Sequence, residues 1–379
     1  MQTKGLSQKK RNVIIHIWER KRKHAIARKI ARKKKRKRDQ TVKVYQRRNM
    51  DKASDARSSR NTEIINLPER FDLHHNYNKV MPAIDKFVKA MNQPKAIRKH
   101  ISVNFNAINH IGISAALLLA ANLDVWKIKA GKLKSHHDRW KPSTRTLLNQ
   151  MGLFELLDMP PLTARHKKTN MSFVKFLSAQ QGDGKKAKQL RKRIEKTMKK
   201  SLPFEHRDRL FTSLSEALIN ACHHAYPNPK NLEVHEKWWM TAAYDRSTTP
   251  GKLTVAICDR GFTIPKTMYK KQEFLEKIRE TPLFEDDAHF IKLAMHDSVT
   301  KQKKAKQPPT RSRTGERHRG NGLKQLLGLV GLEKTGEVHI ISGVGHCCFT
   351  FKNGKLEVKS SHNTRYRMHG TLVEWRISV

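Results

Sequence analysis

The sequence has no apolar run of the roughly 20 residues that a membrane-spanning helix needs. Its best candidate, Ile111 to Trp126, is interrupted by Asn122 and Asp124. Acids are scarce: 33 Asp and Glu stand against 79 Lys and Arg, a formal net charge of +46 over 379 residues. Aromatics make up 7% and hydrophobic residues 37%, so part of the chain is expected outside packed cores. The four cysteines (Cys222, Cys258, Cys347, Cys348) show no CxxC spacing. They read as buried thiols in a reducing compartment rather than a disulfide frame or a zinc site. The apolar patch Val13–Trp18 contains His16 and lacks a small-residue cleavage site, so it is not read as a signal peptide. The expectation is a soluble, cytoplasmic protein with no membrane partner.

The charge that is present is uneven. Residues 1–60 hold 23 Lys and Arg but only 4 acids. Residues 9–38 contain no Gly or Pro and end in the block Arg32–Arg38, with Ile26/Ile30 and Ala27/Ala31 at helical spacing. Like-charge repulsion opposes that helix until an anion neutralises it. Residues 39–60 read as a polar linker. Because each neutralised phosphate releases counterions, the 1–60 arm predicts sequence-independent nucleic-acid binding. A solubilising or targeting tail is the alternative.

From residue 61 the composition becomes ordinary, and strand and helix patterns alternate. Glu63–Leu67 and Ile101–Phe105 read as strands, Tyr77–Asn92, Ile111–Leu123 and Thr144–Leu157 as helices. That alternation predicts an α/β domain over 61–180. Its histidine pairs, His74/His75 and His136/His137, read as solvated or satisfied side chains rather than metal ligands, since adjacent side chains diverge. Residues 181–201 form a basic connector to a second domain, 202–379.

The residues that carry chemistry lie in that second domain. In RLFTSLSEALINACHHAY, starting at Arg209, an apolar stripe at helical intervals runs beside Glu216, Asn220 and His224. These three stand four residues apart, so a carboxylate, an amide and an imidazole line one helix face. By itself that spacing reads as a solvated polar face rather than a cation site; the downstream segments change that weighting. Downstream, the apolar strand Leu253–Cys258 runs into Asp259-Arg260-Gly261-Phe262-Thr263-Ile264-Pro265. An Asp there can point into a cleft while Gly261 lets the chain turn without a Cβ clash. Arg319-Gly320-Asn321-Gly322-Leu323 then opens an apolar segment, the form of a glycine-rich phosphate cradle. Glu337–Ser342 and Cys348–Lys352 read as strands joined through Gly343 and Gly345, and a last strand starts at Gly370-Thr371.

Taken in order, these segments resemble the ATP-binding domain of the GHKL (histidine kinase-like) superfamily. SEALINACHHAY resembles its N box as written in anti-sigma-factor serine kinases. DRGFTIP resembles the first glycine box, RGNGL the second, and Gly370-Thr371 the closing adenine-pocket motif. The resemblance implies a Bergerat-type α/β sandwich that binds ATP and Mg²⁺. Asn220 would hold the magnesium, and Glu216 would be the catalytic residue that orients or deprotonates the attacking water or hydroxyl. His224 shares their helix face and joins the cofactor-binding set. Asp259 would accept the adenine amino group, with Thr371 beside the ring and Gly261 close to the base. Gly320, Asn321 and Gly322 would shape the lid and bind phosphate. The family usually has Gly where this sequence has Thr263, and a positive φ there would be strained. Lys301–Arg319, with eight Lys and Arg and one Glu, occupies the place of the family's mobile lid.

Segment 61–180 resembles the STAS-type α/β fold through Ile101–Leu123. That resemblance implies a protein partner, and it places Ser114 near the family's phosphoacceptor turn. A helix-capping or core serine is the competing account. Three functions follow from the sequence: an Mg-ATP-dependent switch or ATPase, an anti-sigma-type serine/threonine kinase, or a basic nucleic-acid-binding protein with a degenerate nucleotide site.

Overall fold

Side chains alternate in direction along a strand, so a strand apolar at nearly every position needs cover on both faces. Leu253–Cys258 has that composition, and the computed structural model shows both covers. Described are residues 62–93, 100–130, 140–160, 170–180, 193, 196, 212–214, 217, 225–226, 237–268, 286–304, 336–352 and 355–378. Glu63–Val379 form one compact unit. The arm, most of the connector and most of the expected lid lie outside the described residues.

The first part of the unit holds two short strand pairs. β1 (Thr62–Asn66) lies beside β3 (His100–Asn104), and β2 (Arg70–Phe71) pairs in parallel with β4 (His110–Ile111). Between and after them come α1 (Leu73–Met91), α2 (Ile113–Ala130), α3 (Pro142–Gln150) and α4 (Leu153–Leu156). Asp72 caps α1, its Oδ1 accepting the backbone N–H of His74 at 2.8 Å and of His75 at 3.1 Å. The single helix expected over Thr144–Leu157 is broken at Gly152, whose φ of 86° is left-handed.

The second part is a five-stranded sheet in the order β5-β6-β7-β9-β8, antiparallel throughout. Its strands are β5 (Met171–Ala179), β6 (Trp238–Asp245), β7 (Lys252–Asp259), β8 (Glu337–Lys352) and β9 (Lys355–Ser378), with α5 (Ile264–Met268) and α6 (Asp287–Lys304) between β7 and β8. Residues 301–304, the start of the expected lid, are the end of α6. β5 comes from the 61–180 segment yet forms the edge of this sheet. Its register shifts between Val174 and Leu177, and it packs on both faces, Phe176 in one core and Val174 and Ala179 in the other.

The fold is mixed α/β, as expected, and the two segments share a core. On one face, α1 and α2 pack with Trp239, Ala256, Cys258, Ile341, Met368 and Leu372. On the other, Leu214, Ala217, Ala288, Ile291 and Met295 cover Met240, Val255, Ile257, Ile340, Val373 and Trp375. The polar residues that interrupt the apolar run of α2 both make hydrogen bonds there, although Asn122 Oδ1 is buried without a partner among the described residues. Asn122 Nδ2 donates to the Leu118 carbonyl at 2.7 Å, and Asp124 Oδ2 accepts from Trp239 Nε1 at 3.0 Å and Lys237 Nζ at 3.2 Å.

β8 is one strand where the sequence suggested two, and β9 begins at Lys355 rather than near Gly370. The ladder between them is irregular around Ser342, Gly343 and Gly345, where Gly343 has a φ of 65°. There the Val344 N–H leaves the ladder and donates to Asp287 Oδ2 at 2.7 Å. The glycines that look like a turn in the sequence are thus a bulge within a long strand. Among the described residues no helix is long and apolar enough to cross a membrane.

Candidate functional site

Asp259 ends β7, and its neighbour across the ladder is the start of the final run of β9, since Cys258 is opposite Leu372. Thr371 in turn pairs with Ser342 of β8. Asp259 lies two residues beyond Ile257, Thr371 two before Val373 and Ser342 two beyond Ile340. All three therefore point to the face that Leu214, Ala217 and α6 cover. Asp259 and Thr371, assigned to one adenine pocket by resemblance, are thus brought together by the sheet.

The hydrogen bonds fix this corner. Asp259 Oδ1 accepts the Gly261 N–H at 2.9 Å, and the Thr371 N–H also donates to the carboxylate. Ser342 Oγ is 2.8 Å from Thr371 Oγ1, receives the Ile264 N–H at 2.8 Å and donates to the Gly370 carbonyl at 3.3 Å. Burial pushes Asp259 up to about 7, against the lowering effect of the two N–H donors. Tyr226 closes the rear: its hydroxyl donates to the Lys237 carbonyl at 2.7 Å and accepts the Arg260 N–H at 3.2 Å. Burial, with the nearby Asp259 charge, lifts that phenol well above its ordinary range.

The close approach that Gly261 permits is to the chain itself. A Cβ there would overlap the Ala225 carbonyl, which accepts the Phe262 N–H at 2.8 Å. Thr263 is unstrained, because Asp158 is the one non-glycine residue with positive φ among those described. Its Oγ1 accepts the Lys266 N–H at 3.3 Å at the start of α5. Thr there serves as a helix cap, a role glycine's missing side chain could not fill. Glu216, Asn220, His224, Gly320, Asn321 and Gly322 lie outside the described residues. Ser114 is fully buried, its Oγ 3.4 Å from His74 Nε2. A kinase could not reach it in this conformation.

Sequence reasoning missed a second polar cluster on the opposite face of the sheet. His74 Nε2 lies 2.8 Å from Glu374 Oε1, with side chains 6% and 0% exposed. Arg376 Nε also donates to Glu374 Oε1. The His74 ring is stacked at a tilt on His339, centroids 4.1 Å apart, and both are 5.8 Å from His346. Burial would raise Glu374, but the His74 hydrogen bond and charge, with Arg376, hold it far below the usual carboxylate range. Burial, then the His74 charge, pushes His339 down to about 4 and His346 to about 3.

A separate cleft of about 520 Å³ is lined by Glu69, Arg70, His75, Lys79, Asn109 and His110, among others, and includes none of these groups. Comparison with protein-family models, with curated proteins and with solved structures gives no match.

Proposed function

We propose that the chain is an ATP-binding protein of the histidine kinase-like type, acting as an Mg-ATP-dependent switch or ATPase. What carries the reading is the pairing of Asp259 with Thr371. The two residues that the sequence motifs assign to adenine lie at one corner of the sheet, on the face covered by the helix layer. A buried carboxylate held by two N–H groups is a rigid acceptor, suited to the amino edge of a purine. Magnesium would be held by Asn220, with Glu216 positioning the attacking group, as the motif resemblance implies. Its chemistry would be charge neutralisation between phosphates, which phosphoryl transfer needs more than covalent assistance.

The STAS-like reading of 61–180 gives the switch its relay. α2 packs behind the nucleotide face and is tied to β6 through Asp124 and Trp239. A nucleotide that shifts β6 and β7 would move α2 with them and so alter the surface offered to a protein partner.

The test is equilibrium binding of Mg-ATP to the full chain, Asn220→Ala and Asp259→Asn. Saturable binding that weakens at least tenfold in both variants is expected, and undiminished binding in both overturns the reading. Following γ-labelled ATP then shows whether phosphate passes to water, to this protein or to another protein.

A further inference from the structure

Unpaired polar atoms inside a protein are costly, so several of them converging on one point call for a ligand. Among the described residues, His74 Nδ1, His339 Nδ1 and His346 Nε2 are buried and have no hydrogen-bond partner. These three histidines each offer a ligand atom, and the atoms lie within 4.8 Å of one another. His339 and His346 are 8% and 6% exposed, comparable to the His74 side chain.

We propose that His74, His339 and His346 bind one divalent transition-metal ion, zinc by preference, between the start of α1 and the β8–β9 hairpin. Imidazole nitrogens suit zinc, and three of them leave a fourth position for a water or for another group. Tetrahedral bonds of about 2 Å place ligand atoms about 3.3 Å apart, so modest ring rotations close the site.

The surroundings are built as a metal's surroundings are. A metal-bound histidine is ordinarily oriented by a carboxylate on its other nitrogen. His74 Nε2 meets Glu374 Oε1 at 2.8 Å, which leaves Nδ1 for the ion. His339 Nε2 meets Glu337 Oε2 at 3.2 Å and likewise leaves Nδ1. Two independent carboxylates thus hold one nitrogen of each ring and leave the other for the ion. The ion would act as a clamp, joining the first turn of α1 to the far end of the sheet. It is independent of the nucleotide corner, which lies on the opposite face.

A competing position shares His339: Glu337, His339 and Cys348 also group closely, with Cys348 Sγ 3.7 Å from His339 Nε2. The ligand shell separates the two. In the wild-type full chain, stripped with chelator and titrated with Zn²⁺ or Co²⁺, one equivalent is expected to bind and raise the thermal midpoint. X-ray absorption should then show nitrogen and oxygen neighbours with imidazole scattering, and Co²⁺ should give d–d bands without a thiolate charge-transfer band. A sulfur neighbour would move the ion to Cys348 and overturn the assignment. So would substoichiometric metal with no thermal shift. His346→Gln should weaken binding about 100-fold and Glu374→Gln about 10–100-fold, while Cys348→Ala and His110→Ala leave it intact. Full affinity in a folded His346→Gln protein refutes the site.

Discussion

Trp239 Nε1 donates to Asp124 Oδ2 over 3.0 Å, and this bond joins α2 to the second strand of the sheet. Lys237 Nζ shares the same oxygen at 3.2 Å, so one buried carboxylate serves an indole and an ammonium at once. Asp124→Ala strands both donors and should lower stability by about 2–4 kcal/mol. Asp124→Asn keeps an acceptor and should cost less. Urea midpoints measure both, and if Glu63–Val379 unfolds as one unit, fluorescence and circular dichroism should report the same transition in each variant.

The nearness of Asp259 to Thr371 was legible because both sit in short local motifs, DRGF at a strand end and GT before an apolar run, although GT lies inside β9 rather than at its start. β5 was not, since MSFVKFLSA pairs with a strand far along the chain and a register shift between Val174 and Leu177 breaks any clean alternation. The histidine cluster was hidden by parity. His339 and His346 are seven residues apart, which in a regular strand puts them on opposite faces. The irregular ladder around Gly343 and Gly345 slips the alternation by one and returns His346 to the face of His339. His74 looked divergent from His75, and it is: His75 turns outward to Asp72 while His74 turns in to Glu374.

Asp259 gives stability a pH dependence opposite to that of an ion-paired carboxylate. Its folded pKa is raised to about 7, above the ordinary value of 3.8, so between those limits the folded state holds the extra proton. Stability from this group is therefore full at low pH and lost as pH rises through about 7, with a slope of at most about 1.4 kcal/mol per pH unit. Asp259→Asn should flatten the curve between pH 5 and 7. An adenine amino group donating to Asp259 favours the ionised form, so Mg-ATP binding should release a proton and tighten as pH rises over the same interval. Calorimetry in buffers of different ionisation enthalpy detects that proton, and no proton release would remove Asp259 from contact with the base.

Gly370 controls how closely β9 approaches β7 at this corner. Its φ is 88°, and a Cβ would overlap the Asp259 carbonyl. Gly370→Ala should therefore cost about 2–4 kcal/mol from the left-handed backbone and the steric overlap together. It should also weaken nucleotide binding, because relief of the overlap displaces Asp259 from Thr371. A variant at Gly354, in the β8–β9 turn sequence, should leave nucleotide binding unchanged. Denaturant midpoints paired with Mg-ATP titrations separate the two losses.

The basic arm predicts a different dependence. With 23 Lys and Arg in residues 1–60, nucleic-acid affinity should fall linearly with the logarithm of salt, by about 0.9 per duplex phosphate neutralised. Random-sequence duplexes should bind equally well, because counterion release carries no base readout. Deleting residues 1–60 should flatten the salt slope and weaken binding more than tenfold, yet leave Mg-ATP affinity within twofold. Fluorescence anisotropy at several salt concentrations, with and without the arm, measures each term. Unchanged affinity and slope after deletion would shift the polyanion surface from the arm to the basic residues of 63–379, where Lys185–Lys200, with nine Lys and Arg in 16 residues, is the densest remaining block.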